Sequence, residues 1–264
     1  MNRTAGIVIG LAAGAAVGAA VVAAAGPAER PTAPPPVRRQ LADPAAAALA
    51  IPSPERLSDG PDVTRWAHVR HAVAARVRPL RGARVVARIR ARTPEATVTA
   101  VAVTARRTGP DGRLWLHVAL PVLPNGTRGW VPRRALGAFE ISRHRLVIDL
   151  RRRRLTLLHR GRAVLHAPVG IGAPRWPTPR GTFLIRNRLE RFRGAPMYGP
   201  VAFGTSARSP TLTDWPAGGF IGIHGTDEPG LIPGGVSHGC VRLRNPDILR
   251  LARLMPVGTP VEIR

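Results

Sequence analysis

The only cysteine of this 264-residue chain, Cys240, stands in the run Ser237-His238-Gly239-Cys240-Val241-Arg242-Leu243-Arg244-Asn245. A second histidine, His224, lies upstream in Gly222-Ile223-His224-Gly225-Thr226. A lone thiol with histidines close in sequence suits nucleophilic catalysis, because the thiolate is the reactive species and an imidazole can generate and hold it. Near its ordinary pKa of about 8.5, a thiol is only a few per cent ionised at neutral pH, so it needs a neighbouring base. His238 lies two residues away and depends on loop geometry to reach the sulfur. His224 ends an expected strand and so has a rigid mount, which holds a catalytic group better. Gly239 lets the backbone turn sharply beside the nucleophile. Two other readings stay open at this point: a buried structural thiol, and a zinc site built from His224, His238, Cys240 and Asp227. The second lacks paired C-x-x-C spacing and would quench the only thiol.

These residues need strands and tight turns to hold them, and the C-terminal half supplies the pattern. From Phe139 onward the chain reads as mostly β. Expected strands are Arg145–Leu150, Arg154–His159, Val164–Ile171, Gly181–Ile185, Val201–Phe203, Gly219–His224 and Gly258–Ile263. One helix is expected over Pro246–Leu254, with Asn245 as its N-cap and Pro at the first helical position. The stretch from Asn187 to Gly218 lacks regular periodicity and reads as a long irregular loop, often a functional feature in a compact domain. It carries Tyr198, the only tyrosine, expected in the substrate cleft.

The N-terminal half divides into three. Ala5–Ala28 is uncharged and follows Arg3, which suggests a secretory signal peptide or a membrane anchor. Its Gly6, Gly10, Gly14 and Gly18 have the spacing that packs helix on helix. Either role places the remainder outside the cytoplasm, in the periplasm or cell wall, with a possible N-terminal membrane span. Residues 29–61, rich in Pro and Ala, read as a semi-extended linker, with a short helix expected over Leu41–Ile51. Residues 62–138 carry short strands separated by turn signals: Ala83–Ile89, Thr97–Ala105 and Leu114–Ala119, then Arg128–Pro132.

Composition bears on partners. The net charge is +25, from 40 basic residues against 15 acidic ones, and none of the basic residues is lysine. Arginine is the better fork for carboxylates and phosphates. The arginines are scattered, and aromatics make up only 4%. No stacking platform for bases is therefore evident, and nucleic acid is not an expected partner. An anionic cell envelope is.

Four stretches in order resemble one family. His224–Asn245 resembles the active-site segment of the L,D-transpeptidase, or YkuD, catalytic domain. Leu146–Leu158 resembles its opening hairpin, Thr178-Pro179-Arg180-Gly181-Thr182-Phe183 its "TPxGxF" turn, and Gly258-Thr259-Pro260-Val261 its closing strand. The resemblance covers residues 139–264. Upstream, Leu114–Val118 and Arg128-Gly129-Trp130-Val131-Pro132 resemble a bacterial SH3-like domain. Together these imply a mainly β protein: a small SH3-like barrel, then a β-rich catalytic domain with one short helix near the C-terminus.

The family resemblance also implies an enzyme acting on peptidoglycan stem peptides without metal or organic cofactor. Cys240 would attack the carbonyl between the third residue, a diamino acid, and the D-Ala at position four. D-Ala would leave, and an amine of a second stem would take the acyl group, giving a 3→3 crosslink. Water as acceptor would give an L,D-carboxypeptidase, and a lost activity would leave a wall-binding module. The family pattern gives the base role to His224, with the Gly225 carbonyl orienting its ring. It implies Gly239 and Cys240 N–H groups at the oxyanion, His238 beside it, Arg242 near the acyl site or a stem carboxylate, and Ser237 fixing the loop.

Overall fold

The computed structural model describes residues 51–57, 63–190, 195–212 and 219–264. The expected signal or anchor and most of the expected linker, including all of the expected helix Leu41–Ile51 but its last residue, lie outside the described residues. No helix among the described residues is long and apolar enough to cross a membrane.

The protein is mainly β. Its first sheet is made of β1 (Glu55–Arg56), β2 (Thr64–Val69), β3 (Val73–Arg76), β4 (Val85–Ile89), β5 (Ala100–Thr108), β6 (Leu114–Ala119), β7 (Arg128–Pro132) and β8 (Leu136–Ser142). They lie in the order β4-β3-β7-β6-β5-β2-β8, with β1 on β5, and every pair is antiparallel. β6 and β7 fall where the sequence places them. Residues 51–57, within the stretch expected as linker, run along β5: Thr108 N donates to Ile51 O at 2.9 Å and Leu57 N to Thr104 O at 3.0 Å. The first sheet also extends to Ser142, through the pairing of β8 with β2. Its core is apolar: Val101, Val103, Leu116, Val118 and Val131 are at most 2% exposed.

The second sheet follows after one residue, Arg143. Its elements are β9 (His144–Asp149), β10 (Arg154–His159), β11 (Arg162–Pro168), β12 (Gly170–Gly172), β13 (Gly181–Glu190), β14 (Val201–Arg208), β15 (Phe220–His224), β16 (Gly234–Ser237), β17 (Val241–Arg242), α1 (Asn245–Leu254) and β18 (Pro260–Ile263). The order is β11-β10-β9-β18-β13-β14-β15-β17-β12-β16, a curled mixed half-barrel. Three of its pairs are parallel: β9 with β18, β15 with β17, and β12 with β16.

Alternation builds the core, because successive side chains of a strand point to opposite faces. In β10, Leu155 and Leu157 are buried while Arg154 is exposed. Leu155 pairs with Ile148 and Leu157 with Leu146 of β9, which in turn pairs Leu146 with Val261 and Ile148 with Ile263 of β18. Each such side chain contributes about 1.5–3 kcal/mol when fully buried.

One expectation is overturned. Asn187–Gly218 is not a continuous irregular loop, because Asn187–Glu190 completes β13 and Val201–Arg208 is β14, paired antiparallel. The periodicity is hidden for two reasons. Val201–Thr205 is buried at every position, so apolar and polar residues need not alternate. The ladders also shift register between Ile185 and Asn187 and between Gly204 and Arg208.

Candidate active site

The site forms where β15 and β17 run side by side. Their register sets Ile223 against Val241 and His224 against Arg242, so Cys240, just before β17, falls beside Gly222. Gly222 and His224 are two residues apart on one strand and share a face. The thiol is thus delivered to the face that carries the imidazole. The Gly222 N–H donates to Cys240 Sγ at 3.3 Å. A Cβ at Gly222 would lie in ordinary contact with both groups, 3.6 Å from His224 Cδ2 and 3.7 Å from Cys240 Sγ. Imidazole and sulfur therefore both flank Gly222 and line one cavity.

The imidazole is held in one tautomer. His224 is only 3% exposed, and its Nδ1 lies 2.6 Å from the Gly225 carbonyl oxygen. A carbonyl can only accept, so Nδ1 carries the proton and Nε2 presents a lone pair. Burial pulls His224 down to about 4, opposed by the Gly225 hydrogen bond, reinforced by the Arg242 charge and opposed again by Asp227. Burial pushes the Cys240 thiol up, while the Gly222 N–H and Arg242 pull it back down. Both shifts favour the uncharged forms, so the resting pair is a neutral thiol and a neutral imidazole.

The loop before the cysteine is fixed on both sides. Gly239 has φ of +109°, a conformation that glycine adopts without strain. The Ser237 hydroxyl donates to Cys240 O at 2.6 Å and accepts from Gly239 N at 3.1 Å. In this geometry the Gly239 N–H, expected at the oxyanion, is directed to Ser237. The buried Thr178 hydroxyl donates to Gly239 O at 2.9 Å and accepts from Gly172 N at 2.8 Å, tying the loop to β12.

A cavity of about 440 Å³ opens over this pair, lined in part by Tyr198, Phe220, His224, His238, Cys240 and Arg242. Tyr198 closes a short 3-10 turn, Pro196–Tyr198, and sets its ring edge-on to His224 with centroids 5.0 Å apart.

Residues 143–263 match the YkuD family, described as an L,D-transpeptidase catalytic domain. The second sheet is an L,D-transpeptidase catalytic domain. The chain is 38% identical to the YkuD protein of Bacillus licheniformis and 33% identical to that of Bacillus subtilis, over 120 residues in each case. Each match covers 46% of this chain and 65% of the relative, so under two thirds of either protein's length is spanned. The solved structure of Bdellovibrio bacteriovorus Bd1075 is 29% identical, with a TM-score of 0.38, over 47% of this chain and 48% of that one.

The transpeptidase domain brings together all eight residues singled out from the sequence. Ser237, His238, Cys240, Arg242, His224 and Tyr198 line the cavity. Gly225 and Gly239 act through the backbone, as described above. His238 is exposed and packs its ring against Trp176, with centroids 4.0 Å apart. Arg242 donates to Glu228 at 2.9 Å. Among the described residues, no three His, Cys, Asp or Glu side chains gather as metal ligands would.

Four residues of the site escaped sequence reasoning. Gly222 carried one signal that could have found it, as the alternate position to His224 on its strand. Thr178 stands in the "TPxGxF" run but carries no hint of its reach to Gly239. Phe220 begins the strand that His224 ends, with no sign of facing the cleft. Asn245 was expected as a helix cap. Instead α1 is preceded by Arg244 with no side-chain cap, and Asn245 Oδ1 accepts from Thr226 N at 2.9 Å. It fastens the segment that carries the Gly225 carbonyl, a role a cap assignment hides.

Proposed function

We propose that the domain is a cysteine acyltransferase that forms 3→3 crosslinks between peptidoglycan stem peptides. The observation that carries this reading is the Cys240–His224 pair, both flanking Gly222 in one cavity, with the imidazole tautomer fixed by Gly225. Cys240 is the nucleophile and His224 the base. As Sγ attacks the carbonyl carbon of the diamino acid at position three, the thiol proton passes to Nε2. The C–N bond to D-Ala then breaks, the imidazolium returns that proton to the leaving amine, and a thioester remains on Cys240. An incoming side-chain amine attacks the thioester, gives its proton to His224 and frees the sulfur.

The neutral resting pair supports this order, because proton transfer accompanies attack and no standing thiolate is required. The Cys240 N–H, on the nucleophile itself, is the donor we assign to the developing oxyanion. The Gly239 N–H is held by Ser237. Arg242 supplies positive charge beside both reacting groups while anchored by Glu228. The first sheet is the wall-facing support, with an anionic envelope as its surroundings.

The test is incubation of the soluble part with a purified disaccharide-tetrapeptide, followed by mass spectrometry. A dimer that has lost one D-Ala is expected. A monomeric tripeptide as the only product would mean that water is the acceptor, making the enzyme an L,D-carboxypeptidase. No product of either kind, from a protein whose Cys240 a carbapenem cannot acylate, would leave a silent wall-binding module.

A further inference from the structure

Beyond the catalytic cavity, across Phe220, lies a second one of about 390 Å³. It opens between the edge of the first sheet at β4 and strands β13 and β14 of the transpeptidase domain. Arg88, Arg90, Arg92, Arg186 and Arg208 line it, and no acidic side chain does. Phe220 belongs to both cavities. Ser209 and Ile221, next to Arg208 and Phe220 in sequence, face the catalytic one. The Phe220 side chain thus borders both spaces.

The deepest of these arginines is under-compensated. The Arg186 side chain is 2% exposed, and its nearest carboxylate, on Glu95, stands 3.8 Å away, near the outer limit of an ion pair. Its Nε donates to Thr205 O at 2.7 Å, and its guanidinium packs 3.8 Å from the Phe220 ring centroid. The Nη2 is buried and makes no hydrogen bond. Burial pulls Arg186 down to about 10, with Glu95 opposing and Arg208 reinforcing, so it stays charged at neutral pH. A buried cation so weakly paired is costly, and an anion seated in the cavity would offset its charge.

The walls are also braced. The Asn125 side chain, in the turn between β6 and β7, donates to Arg208 O at 2.8 Å and accepts from Arg208 N at 3.0 Å. In return, Asn187 of β13 donates to Glu95 at 3.1 Å and to Thr97 at 3.0 Å, and accepts from Gly204 N at 3.0 Å. These reciprocal bonds hold the cavity open before any ligand arrives, the condition for a built binding site.

We propose that this cavity is a subsite for a free carboxylate of the acidic stem peptide whose reacting carbonyl lies at Cys240. The inference rests on the peptidoglycan reading above and narrows it to acidic stems. A guanidinium forks onto a carboxylate, and a cleft lined by one sign of charge concentrates anions. The Phe220 wall shared with the catalytic cavity sets this site beside the reacting centre, which favours a group on the reacting substrate over a separate phosphodiester polymer.

The test compares a tetrapeptide stem bearing free carboxylates with the same stem amidated at them. Wild type should favour the acidic stem by about tenfold in kcat/KM, the size of one charge-assisted hydrogen bond. Arg88→Ser/Arg90→Ser, at two exposed positions, should erase that preference, and Arg90→Glu should reverse it. Calorimetry on Cys240→Ala should show the acidic stem binding more weakly once the two serines are added. A preference that survives in the variants would overturn the subsite, as would equal turnover of both stems by wild type. Competition by poly(glycerol phosphate) that the acidic stem cannot match would assign the cavity to a polymer and overturn it too. Turnover of neither stem by wild type would sink the peptidoglycan reading, and the subsite with it.

Discussion

The first sheet pairs only antiparallel strands and buries almost nothing polar besides Thr93, Thr99 and Ser142. The second runs three pairs parallel and buries Thr178, Arg186, Asn187, Thr205, Ser209, His224, Thr226, Ser237 and Thr259. Each buried polar group must be met by a hydrogen bond or it costs about 1–3 kcal/mol. In the second sheet Thr178 and Ser237 meet it with bonds that fix the Cys240 loop, while Arg186 keeps one donor unmet; the first sheet has no such loop to hold. The difference separates a supporting sheet, tolerant of polar change at its surface, from a sheet whose interior is a positioning device.

The comparison breaks most completely at the nucleophile. Cys240→Ala should abolish D-Ala release and carbapenem acylation while circular dichroism stays native. Turnover near wild type in a folded variant would sink the mechanism.

Next in size is the base. His224→Ala should slow acylation on the order of 10²-fold or more, and His238→Ala should cost less. The same residue makes a stability prediction. Its folded pKa of about 4 lies below the ordinary value of 6.5, so between these pH values the unfolded chain binds more protons. Stability therefore falls as pH drops from about 6.5 towards 4, by up to about 3 kcal/mol. Urea midpoints at pH 7 and pH 5 should show the fall in wild type and a smaller one in His224→Ala.

A third pair of variants sets the sheets against each other. Thr178→Val removes two hydrogen bonds at constant shape and should lower stability by about 1–3 kcal/mol. It should also lower the acylation rate per folded molecule, because the Gly239 carbonyl loses its anchor. Leu116→Ala in the first sheet should cost more stability, about 2–5 kcal/mol, yet leave that rate near wild type. Equal loss of rate in the two would mean that the sheets do not divide the work.

The smallest effect is expected where the sheets meet. Asn125→Ala removes both bonds to Arg208 and should lower the melting temperature by a few degrees, at about 1–3 kcal/mol for the pair. Carbapenem acylation of Cys240 should stay within about twofold. A larger loss would mean that the first sheet helps to shape the catalytic cleft itself.

Strands with one exposed face, such as β10 with Arg154 outside and Leu155 inside, were legible because alternation writes itself into residue types. β6, β7 and β10 start and stop where the sequence places them. β14 was legible only at its start, because a strand buried on both faces carries no alternating signal. The candidate residues could be named because a lone cysteine, two histidines and the glycines beside them are chemically distinctive. Thr178, Phe220 and Asn245 could not, since a threonine, a phenylalanine and an asparagine are ordinary until their partners are known.

By itself, then, the sequence determined the chemistry on offer, the mainly β class, the run of short strands and the positive charge, because these follow from residue type and local period. Only the tertiary structure decided that β15 lies parallel to β17 with Cys240 beside Gly222, that His224 is buried and neutral, and that five arginines from two sheets share one cavity. Those facts depend on register between distant segments. Register is set by the fit of whole faces, not by any stretch of residues read alone.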